Sequence, residues 1–468
     1  MRMTLGVGVI LGMAAFAALA SPWPFLAPFV VLGIFVAAAL YRHPAWGLFG
    51  LTLLVPFEGL FKGSGFSAAK LLGLALIAVL AVRFLLQQTP PQHLRSSLWR
   101  FVIPFVLLIV LSLLYTENLS VSLANLRELA IGMTFFVITL LAGRALNLSR
   151  LYAGIALSVA ATCLIALLSI KYQAGGRAIG LLQDANYFAL LIAIAVPAAV
   201  LMAVKGSSVL ARLFWLAITF LLLAGMTKTD SRSGLLVMVI CLAIGIRHHW
   251  WRCRRISPKH FGFLMLGLVL VVPVLRYSVP EDYIDRVKSL SVLKSGVNAY
   301  QDASIGRRAS YLLVGREMIG ENPLLGAGPG TFPLHYAQSG YAKAFSAELV
   351  NPELYRQAHN TYLEIFAEMG IPAGMVFMLL IIAGLGNFRR ARQGFLQQQN
   401  RPAADLAVHL GLGLLSIALF MLFLSTPNHK YLWMFLALSS VVRQQAEAVQ
   451  TLVIIAGFKS MPDCLIAH

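Results

Sequence analysis

The sequence predicts an all-α protein that crosses a membrane many times and carries one large loop domain outside it. Of its 468 residues, 59% are hydrophobic and only 12% are charged, a balance that no soluble domain of this length keeps. Apolar runs of roughly 17 to 22 residues recur, each long enough for a helix to cross a hydrocarbon core of about 30 Å. Helices satisfy their own backbone hydrogen bonds there, so these runs predict transmembrane helices.

The apolar runs define the elements in order. We predict about 12 to 14 spans from the spacing of these runs. The first run ends at Ala18-Leu19-Ala20-Ser21, which resembles a signal-peptidase site. Another apolar run follows at once, which favours retention of this segment as a helix. The candidate spans lie near 4–20, 24–41, 45–61, 67–86, 99–115, 123–143, 150–170, 186–204, 209–227, 233–248, 261–277, 359–386, 405–424 and 430–446.

Polarity divides the chain into four parts. With the N-terminus inside, about 19 Lys and Arg residues fall in cytoplasmic loops against roughly 8 in the short outer loops, as the positive-inside rule requires. The long polar stretch then lies on the outer face, as a loop domain that covers the membrane helices. The parts are 1–277 with N-terminal helices, 278–357 with the loop domain, 358–446 with C-terminal helices, and 447–468 as a tail.

The loop domain contains two predicted helices and a turn-rich segment. Residues 281–290 have apolar side chains at helical spacing, which predicts an amphipathic helix at the membrane surface. A second helix is predicted over 308–319 and ends at Asn322-Pro323. Three glycines and one proline make 326–332 a loop.

The net charge of +19 does not indicate a nucleic-acid partner, because the basic residues are distributed through short loops between helices. The segment 248–255, His-His-Trp-Trp-Arg-Cys-Arg-Arg, is interpreted as an anchor at the inner leaflet rather than a metal or nucleic-acid site. The four cysteines lack paired spacing, so neither a disulfide framework nor a zinc site is expected. No cofactor is predicted. The cysteines are Cys163, Cys241, Cys253 and Cys464.

His359 stands where the loop domain re-enters a hydrophobic run. Histidine takes or gives a proton near neutral pH, so this position suits either catalysis or a hydrogen bond at the membrane interface, and the spacing alone leaves both open. The spacing of Thr361 and Glu364 predicts a capping box, with Glu364 folded back on a helix that begins at Thr361. Pro372 is expected to kink that helix.

Several arginines lie at membrane boundaries. Arg232 opens a span directly after Asp230-Ser231, Arg307 and Arg308 lie in the loop domain, and guanidinium forks of this kind suit phosphate oxygens. With one histidine and no acidic metal cluster, the set suggests a leaving pyrophosphate neutralised by arginine rather than by a divalent ion. Arg286 and Arg177 are weaker candidates for the same role.

The ordered series of these motifs resembles the O-antigen ligase and polymerase superfamily. It comprises Thr229-Asp230-Ser231-Arg232, then Gly306-Arg307-Arg308, then the run from Asn322-Pro323 to Phe332, then His359-Asn360 through Pro372, over roughly residues 215 to 385. In the family's pattern, His359 corresponds to the catalytic histidine, Arg308 to the loop arginine and Arg232 to the Ser-Arg arginine. Two positions depart from it: Ala373 replaces the last glycine, and Leu312 replaces an aromatic residue, with Tyr311 beside it.

The resemblance implies a bacterial inner-membrane glycosyltransferase of the GT-C kind, acting at the periplasmic face without metal or nucleotide. The donor is a glycan on undecaprenyl diphosphate, and the acceptor is the lipid A core in ligases or another lipid-linked unit in polymerases. His359 is then the general base for an inverting transfer, Arg232 and Arg308 stabilise the leaving diphosphate, and Asn360 supports the site.

Three alternatives remain at this point. A polymerase would share the ligase site and differ only in acceptor, and a third variant would transfer the glycan to protein. A polysaccharide flippase belongs to another class, and it predicts several ionisable residues at mid-membrane, of which the sequence has few. The expected partners are the lipid-linked donor, the lipid A core or another glycan acceptor and membrane lipids, but no nucleic acid.

Overall fold

The computed structural model describes residues 27–61, 68–253, 303–345 and 354–459, together with Met13, Phe16 and Ala20. These residues form helices almost throughout, with a single two-stranded antiparallel sheet in which Gln173 pairs with Ala178. The helices are α1 Ala27–Arg42, α2 Pro44–Leu54, α3 Ala68–Leu85, α4 Trp99–Ser112, α5 Leu119–Ala142, α6 Leu148–Leu168, α7 Ala185–Lys205, α8 Val209–Thr229, α9 Arg232–Cys253, α10 Ala303–Glu321, α11 Phe332–Gln338, α12 Gly340–Phe345, α13 Thr361–Gln397, α14 Arg401–Phe420 and α15 Lys430–Lys459, and the strands are β1 Gln173–Ala174 and β2 Arg177–Ala178.

Among the described residues, seven helices are long and apolar enough to cross a membrane, which confirms the predicted all-α polytopic class. Two physical reasons account for part of the higher count from sequence. Helices α1 and α2 are bent by 114° and together make a broken span or a re-entrant pair. Helix α4 has 14 residues and a length of about 21 Å, less than the hydrocarbon thickness. The predicted span 261–277 lies outside the described residues, and of the predicted span 4–20 only Met13, Phe16 and Ala20 are described.

The bend between α1 and α2 follows from Pro44. A proline is tolerated at the first helical position, but its ring keeps the preceding residue out of the helical region. His43 accordingly has φ −132° and ψ 68°, and α2 begins anew at Pro44. Two apolar runs that look like separate spans in the sequence therefore form one bent unit.

Helix α7 is the centre of the bundle. Of its 18-residue apolar window 78% is buried, more than in any other candidate span among the described residues. Alanines at Ala189, Ala193 and Ala198 allow neighbouring helices to approach closely, as small residues do in membrane bundles. Helices α6, α8, α9 and α14 all pack on it. The N-terminus of α7 is thereby fixed against the helices that carry the candidate site residues.

Helix α13 breaks at Gly370, where φ is 85° and ψ is 167°. The predicted kink is confirmed, and it lies two residues before Pro372. Pro372 has no N–H to give to the Glu368 carbonyl, and its ring disfavours helical geometry at Ile371. The Ile371 N–H bonds the carbonyl of Pro323 instead, at 2.8 Å. A Cβ on residue 370 would collide with the Leu324 carbonyl, so only glycine fits this break.

The break exposes two carbonyls of α13 to the loop that follows α10. The Ala367 carbonyl accepts the N–H of Ala327 at 3.1 Å, and the Glu368 carbonyl accepts the N–H of Gly328 at 2.8 Å. These carbonyls would otherwise have accepted from residues 371 and 372 within the helix. The loop therefore completes the hydrogen bonding that the proline removed.

The start of α13 is at Thr361 as predicted, but the predicted capping box is wrong. Asn360 is the N-cap residue, and its Oδ1 accepts from the N–H groups of Tyr362 at 3.1 Å and Leu363 at 3.2 Å. The Thr361 N–H bonds the Met421 carbonyl at 2.8 Å, so it is not available to the Glu364 carboxylate.

Thr361 and Glu364 do not make the hydrogen bonds of a capping box. The Thr361 hydroxyl donates to the Leu424 carbonyl at 2.6 Å and accepts from the Thr426 N–H at 2.9 Å, which ties the head of α13 to the loop after α14. Glu364 is buried, with 4% of its surface exposed. The spacing suggested a partner for Thr361 within the first turn of its own helix, but its hydroxyl bonds the 421–426 loop instead.

The loop domain is described in part. Helix α10 ends at Glu321, directly before Asn322-Pro323, as predicted, and begins five residues earlier than the sequence indicated. Its buried face packs on α13 with a small core of its own, which includes Tyr311, Phe332 and Tyr336. The predicted surface helix 281–290 and Arg286 lie outside the described residues.

The break at Gly370 generates a stability prediction. Replacing Gly370 with alanine forces a Cβ against the Leu324 carbonyl at a positive φ, and we expect a loss of about 2 kcal/mol or more. Thermal unfolding of the detergent-purified protein, followed by tryptophan fluorescence, measures the change. Gly386→Ala in the same helix is the matched control, because nothing lies within 4 Å of its added Cβ. Equal melting temperatures for both variants would contradict the role of the break.

Candidate functional site

The glycine-rich loop 326–332 is held by one carboxylate of α13. Glu368 accepts the Gly330 N–H on Oε2 at 2.8 Å and the Phe332 N–H on Oε1 at 2.9 Å, and it is 2% exposed. A buried carboxylate is stable only with such partners. The sequence analysis missed Glu368, although an acidic residue inside an apolar run next to Gly-Ile-Pro was a signal. The role of Glu368 is to position the loop that follows α10.

His359 lies directly before the N-cap of α13, in the left-handed conformation with φ 49°. Its ring faces that of Tyr311 on α10, with centroids 5.8 Å apart and an interplanar angle of 35°. Its Nδ1 is buried without a hydrogen-bond partner among the described residues. A buried polar atom in that state is one that a substrate hydroxyl can satisfy.

Charges around His359 keep its imidazole neutral. Burial lowers the pKa of His359 from its ordinary value, and the positive charges of Arg308 and Arg356 lower it further, while Asp184 opposes them. A group whose pKa lies below its usual 6.5 is unprotonated at pH 7. The histidine can therefore accept a proton there, which is the state that a general base requires.

The first turns of α10 place three site residues on one face. Arg307 and Arg308 precede Tyr311 by four and three residues, which brings all three to neighbouring positions on the helix surface. Burial raises the pKa of Tyr311, with a further increase from Tyr336, and its hydroxyl accepts a hydrogen bond from Arg356. The structure thus brings Arg307, Arg308 and His359 together around Tyr311.

Arg356 is the main residue that the sequence analysis missed. It lies three residues before His359, and its charge acts both on that histidine and on Tyr311. It stands outside the motif series, which explains the omission. A further arginine in the predicted loop domain, close in sequence to the histidine, was the available signal.

Arg232 begins α9 after a tight turn. Asp230 takes the left-handed conformation with φ 52°, and Ser231 caps α9 by accepting the Gly234 N–H at 3.2 Å. The Ser231 hydroxyl also donates to Asn186 Oδ1 at 2.9 Å. This bond ties the Ser-Arg turn to the start of α7.

The start of α7 connects the Arg232 turn to His359. Asp184 caps α7 by accepting the Tyr187 N–H at 2.7 Å, and the same carboxylate acts electrostatically on His359. Because Asn186 follows two residues later, the Ser-Arg turn and the histidine flank one short segment. Arg232, Asp184 and His359 therefore belong to one end of the bundle.

Two of the weaker candidates from the sequence, Arg177 and Asn360, make hydrogen bonds that support the backbone of the site. Arg177 donates from Nε to the Thr229 carbonyl at 2.9 Å, so it braces the turn before Arg232. The side-chain oxygen of Asn360 accepts the N-cap hydrogen bonds of α13, which fixes the backbone next to His359. Arg286 lies outside the described residues.

A second buried histidine lies at this end. His429 stacks on Tyr187 with ring centroids 5.2 Å apart, and its Nδ1 accepts the Tyr431 N–H at 3.1 Å. Burial, with a contribution from Lys430, lowers the pKa of His429 to about 3. Lys430 pairs with Glu58 and so joins α15 to the segment after α2. Nothing in the spacing of His429 singled it out.

Residues 217–378 match the model of the Wzy_C family, described as O-antigen ligase. This region is similar to an O-antigen ligase domain. The match confirms the resemblance seen in the motif series, and the domain extends from α8 past the break of α13, so it contains Arg232, both α10 arginines and His359. No curated protein matches the chain. The protein is a multi-pass membrane protein with the domain of a ligase-type or polymerase-type membrane glycosyltransferase.

The charges around His359 in the O-antigen ligase domain generate a pH prediction. Diethyl pyrocarbonate modifies only neutral imidazole, so the pH dependence of its reaction at the His359 peptide, followed by mass spectrometry, reports the pKa. We expect a midpoint below 6.5, a higher midpoint in Arg308→Gln and a lower one in Asp184→Asn. Asparagine keeps the N-cap of α7. Identical midpoints in all three proteins would exclude this electrostatic arrangement.

Proposed function

We propose that the protein is an O-antigen ligase-like enzyme of the bacterial inner membrane. It transfers a glycan from undecaprenyl diphosphate to a sugar of the lipid A core, at the periplasmic face, with inversion and without a metal ion. The observation that carries this proposal is the neutral, half-buried His359 beside Arg308 and Arg356 at the head of α13. The family match supports the transferase class.

In this proposal His359 is the general base. The imidazole takes the proton of an acceptor hydroxyl while the hydroxyl oxygen attacks the anomeric carbon of the donor. The bond from that carbon to the lipid diphosphate breaks on the opposite face, so the configuration inverts, and the electron pair leaves with the diphosphate. The donor bond supplies the driving force, so no nucleotide enters the reaction.

The arginines balance the charge of the leaving group. Arg308, Arg307 and Arg232 present guanidinium forks suited to the oxygens of a diphosphate. Their stabilisation is greatest as negative charge develops in the transition state. The bound diphosphate also offsets the positive field that lowers the pKa of His359, so the histidine becomes a stronger base when the donor is in place. Donor binding and base strength are coupled through Arg308.

Neighbouring groups hold this arrangement. Asn360 fixes the backbone on which His359 is carried, Arg177 braces the Ser-Arg turn, and Arg356 orients Tyr311 against the histidine ring. These are positioning roles, with Arg286 a further candidate from the sequence.

A polymerase remains the second candidate, because the same domain family includes both reactions and the site chemistry is shared. In that case the acceptor is the terminal sugar of a second lipid-linked unit. The family match disfavours the flippase alternative.

Replacement of His359 tests the base assignment. Asparagine tolerates a positive φ, so His359→Asn keeps the backbone conformation and removes the base. We expect transfer from a lipid-linked donor by the purified enzyme to fall about 100-fold or more. His335→Asn, on α11 in the same loop domain, is the control and should retain transfer. Normal transfer by His359→Asn would refute the assignment.

The glycolipids of a deletion strain distinguish ligase from polymerase. A ligase deletion leaves polymer on its lipid carrier and lipid A core without the glycan. A polymerase deletion leaves single repeat units on the carrier or on the core. We expect the first pattern, read by gel and mass spectrometry of extracted lipids, and complementation with the wild-type chain is the control. The second pattern would replace the ligase proposal by the polymerase one.

A further inference from the structure

A cluster of metal-binding side chains lies at the opposite end of the bundle from His359. Helix α9 supplies His248 and His249, and helix α14 supplies Asp405 and His409. His248 Nε2 lies 2.9 Å from Asp405 Oδ1, and His249 Nε2 lies 2.9 Å from His409 Nε2. The sequence analysis assigned the His-His segment to the membrane surface. Packing of α9 on α14 instead turns it towards two further ligand-type side chains.

The cluster is buried. His249 is 6% exposed, Asp405 7% and His409 1%. Four ionisable side chains in such a place are costly to bury unless they satisfy one another or hold an ion. A surface anchor for lipid headgroups would instead leave the imidazoles in water. Burial therefore argues for an internal role of these side chains.

Their geometry suits one metal ion. The ligand atoms of His248, His249 and Asp405 all lie within 4.8 Å of one another. Two nitrogens that bind the same tetrahedral ion lie about 3.3 Å apart, so a contraction of about 1.5 Å at most is needed. Side-chain rotation alone supplies a movement of that size.

His409 orients the ring of His249. Its Nδ1 lies 2.7 Å from the Pro197 carbonyl, which requires the proton to be on Nδ1 and leaves the lone pair of Nε2 directed at His249. Metal-binding histidines are commonly fixed by a hydrogen bond from their second ring nitrogen, as His249 is by His409. Beside the pair, a cavity of about 110 Å³ is lined by Pro197, Cys241, Leu412 and both imidazoles.

We propose that His248, His249 and Asp405 bind a divalent transition-metal ion of the zinc class. Two imidazole nitrogens and one carboxylate oxygen suit Zn²⁺, Co²⁺ or Ni²⁺, with solvent in the remaining position, whereas Mg²⁺ and Ca²⁺ prefer oxygen alone. His249 keeps the Nε2 proton that it donates to His409 and offers Nδ1 to the ion, so both imidazoles stay neutral. The nearby cation Lys205 interacts with Asp405 and donates to Ser149 Oγ at 3.1 Å.

The site is separate from the proposed catalytic centre. His248 follows Arg232 by sixteen positions on α9, a distance of about 24 Å along the helix. The ion is therefore structural: it clamps α9 to α14, and through His409 and Pro197 to α7. All three helices contribute to the opposite end, where Arg232, Asp184 and the loop after α14 surround His359.

Metal titration of the full-length protein tests this proposal. The protein is purified with a tag free of histidine, stripped with a chelator, and titrated with Co²⁺ followed by visible absorption. We expect binding of one ion with nitrogen-type ligand-field bands, displaced by Zn²⁺, and a melting temperature that rises with Zn²⁺. His249→Ala and Asp405→Asn should each weaken Co²⁺ affinity about 100-fold and abolish the rise.

Two further variants keep the test decisive. His43→Ala removes an exposed histidine and should bind Co²⁺ as the wild type does. His248→Ala, at a less buried position, gives the answer if His249→Ala does not fold. Equal Co²⁺ affinity in wild type and in His248→Ala or His249→Ala would mean an adventitious ion only, and the proposal would be overturned. Glycan transfer does not enter the readout, so failure of the proposed function leaves this result intact.

Discussion

The break of α13 at Gly370 is the feature on which the rest of the candidate site depends. Pro372 removes one helical hydrogen bond and Ile371 turns away to Pro323, so the carbonyls of residues 367 and 368 must find other donors. The loop after α10 supplies them, and the Glu368 carboxylate accepts the Gly330 and Phe332 N–H groups of that loop. A defect within one membrane helix thus becomes the attachment of the external loop domain.

That attachment explains why α10 faces the start of α13. With the loop fixed on α13, the first turns of α10 bring Arg308 and Tyr311 to His359, and burial together with the arginine charge lowers the pKa of the histidine. The positive charge of the arginines that lowers the pKa of His359 would also bind an anionic donor. In the proposed reaction one electrostatic feature therefore serves both the proton transfer and the leaving group.

The two ends of the bundle differ in chemistry. At one end lie arginines and neutral histidines, where the proposed reaction would place a diphosphate and a sugar hydroxyl. At the other, histidines from α9 and α14 meet around an aspartate, within hydrogen-bond distance of one another. Helices α7, α9 and α14 reach both ends, so their packing in the buried middle of the bundle determines the relative positions of the two sets.

The sequence by itself determined the fold class, the helix starting at Thr361, the kink near Pro372 and the family, since these follow from hydrophobicity, from proline's missing N–H and from an ordered motif series. The candidate site residues His359, Arg232 and Arg308 were also proposed from the sequence. Only the tertiary structure decided what the polar groups bond to: Asn360 replaced the capping box, Glu368 met the glycine loop, Arg356 joined Tyr311, and the His-His segment met Asp405 and His409. A buried polar group bonds whichever partner packing brings to it, and these partners lie far apart in the chain or outside any local pattern.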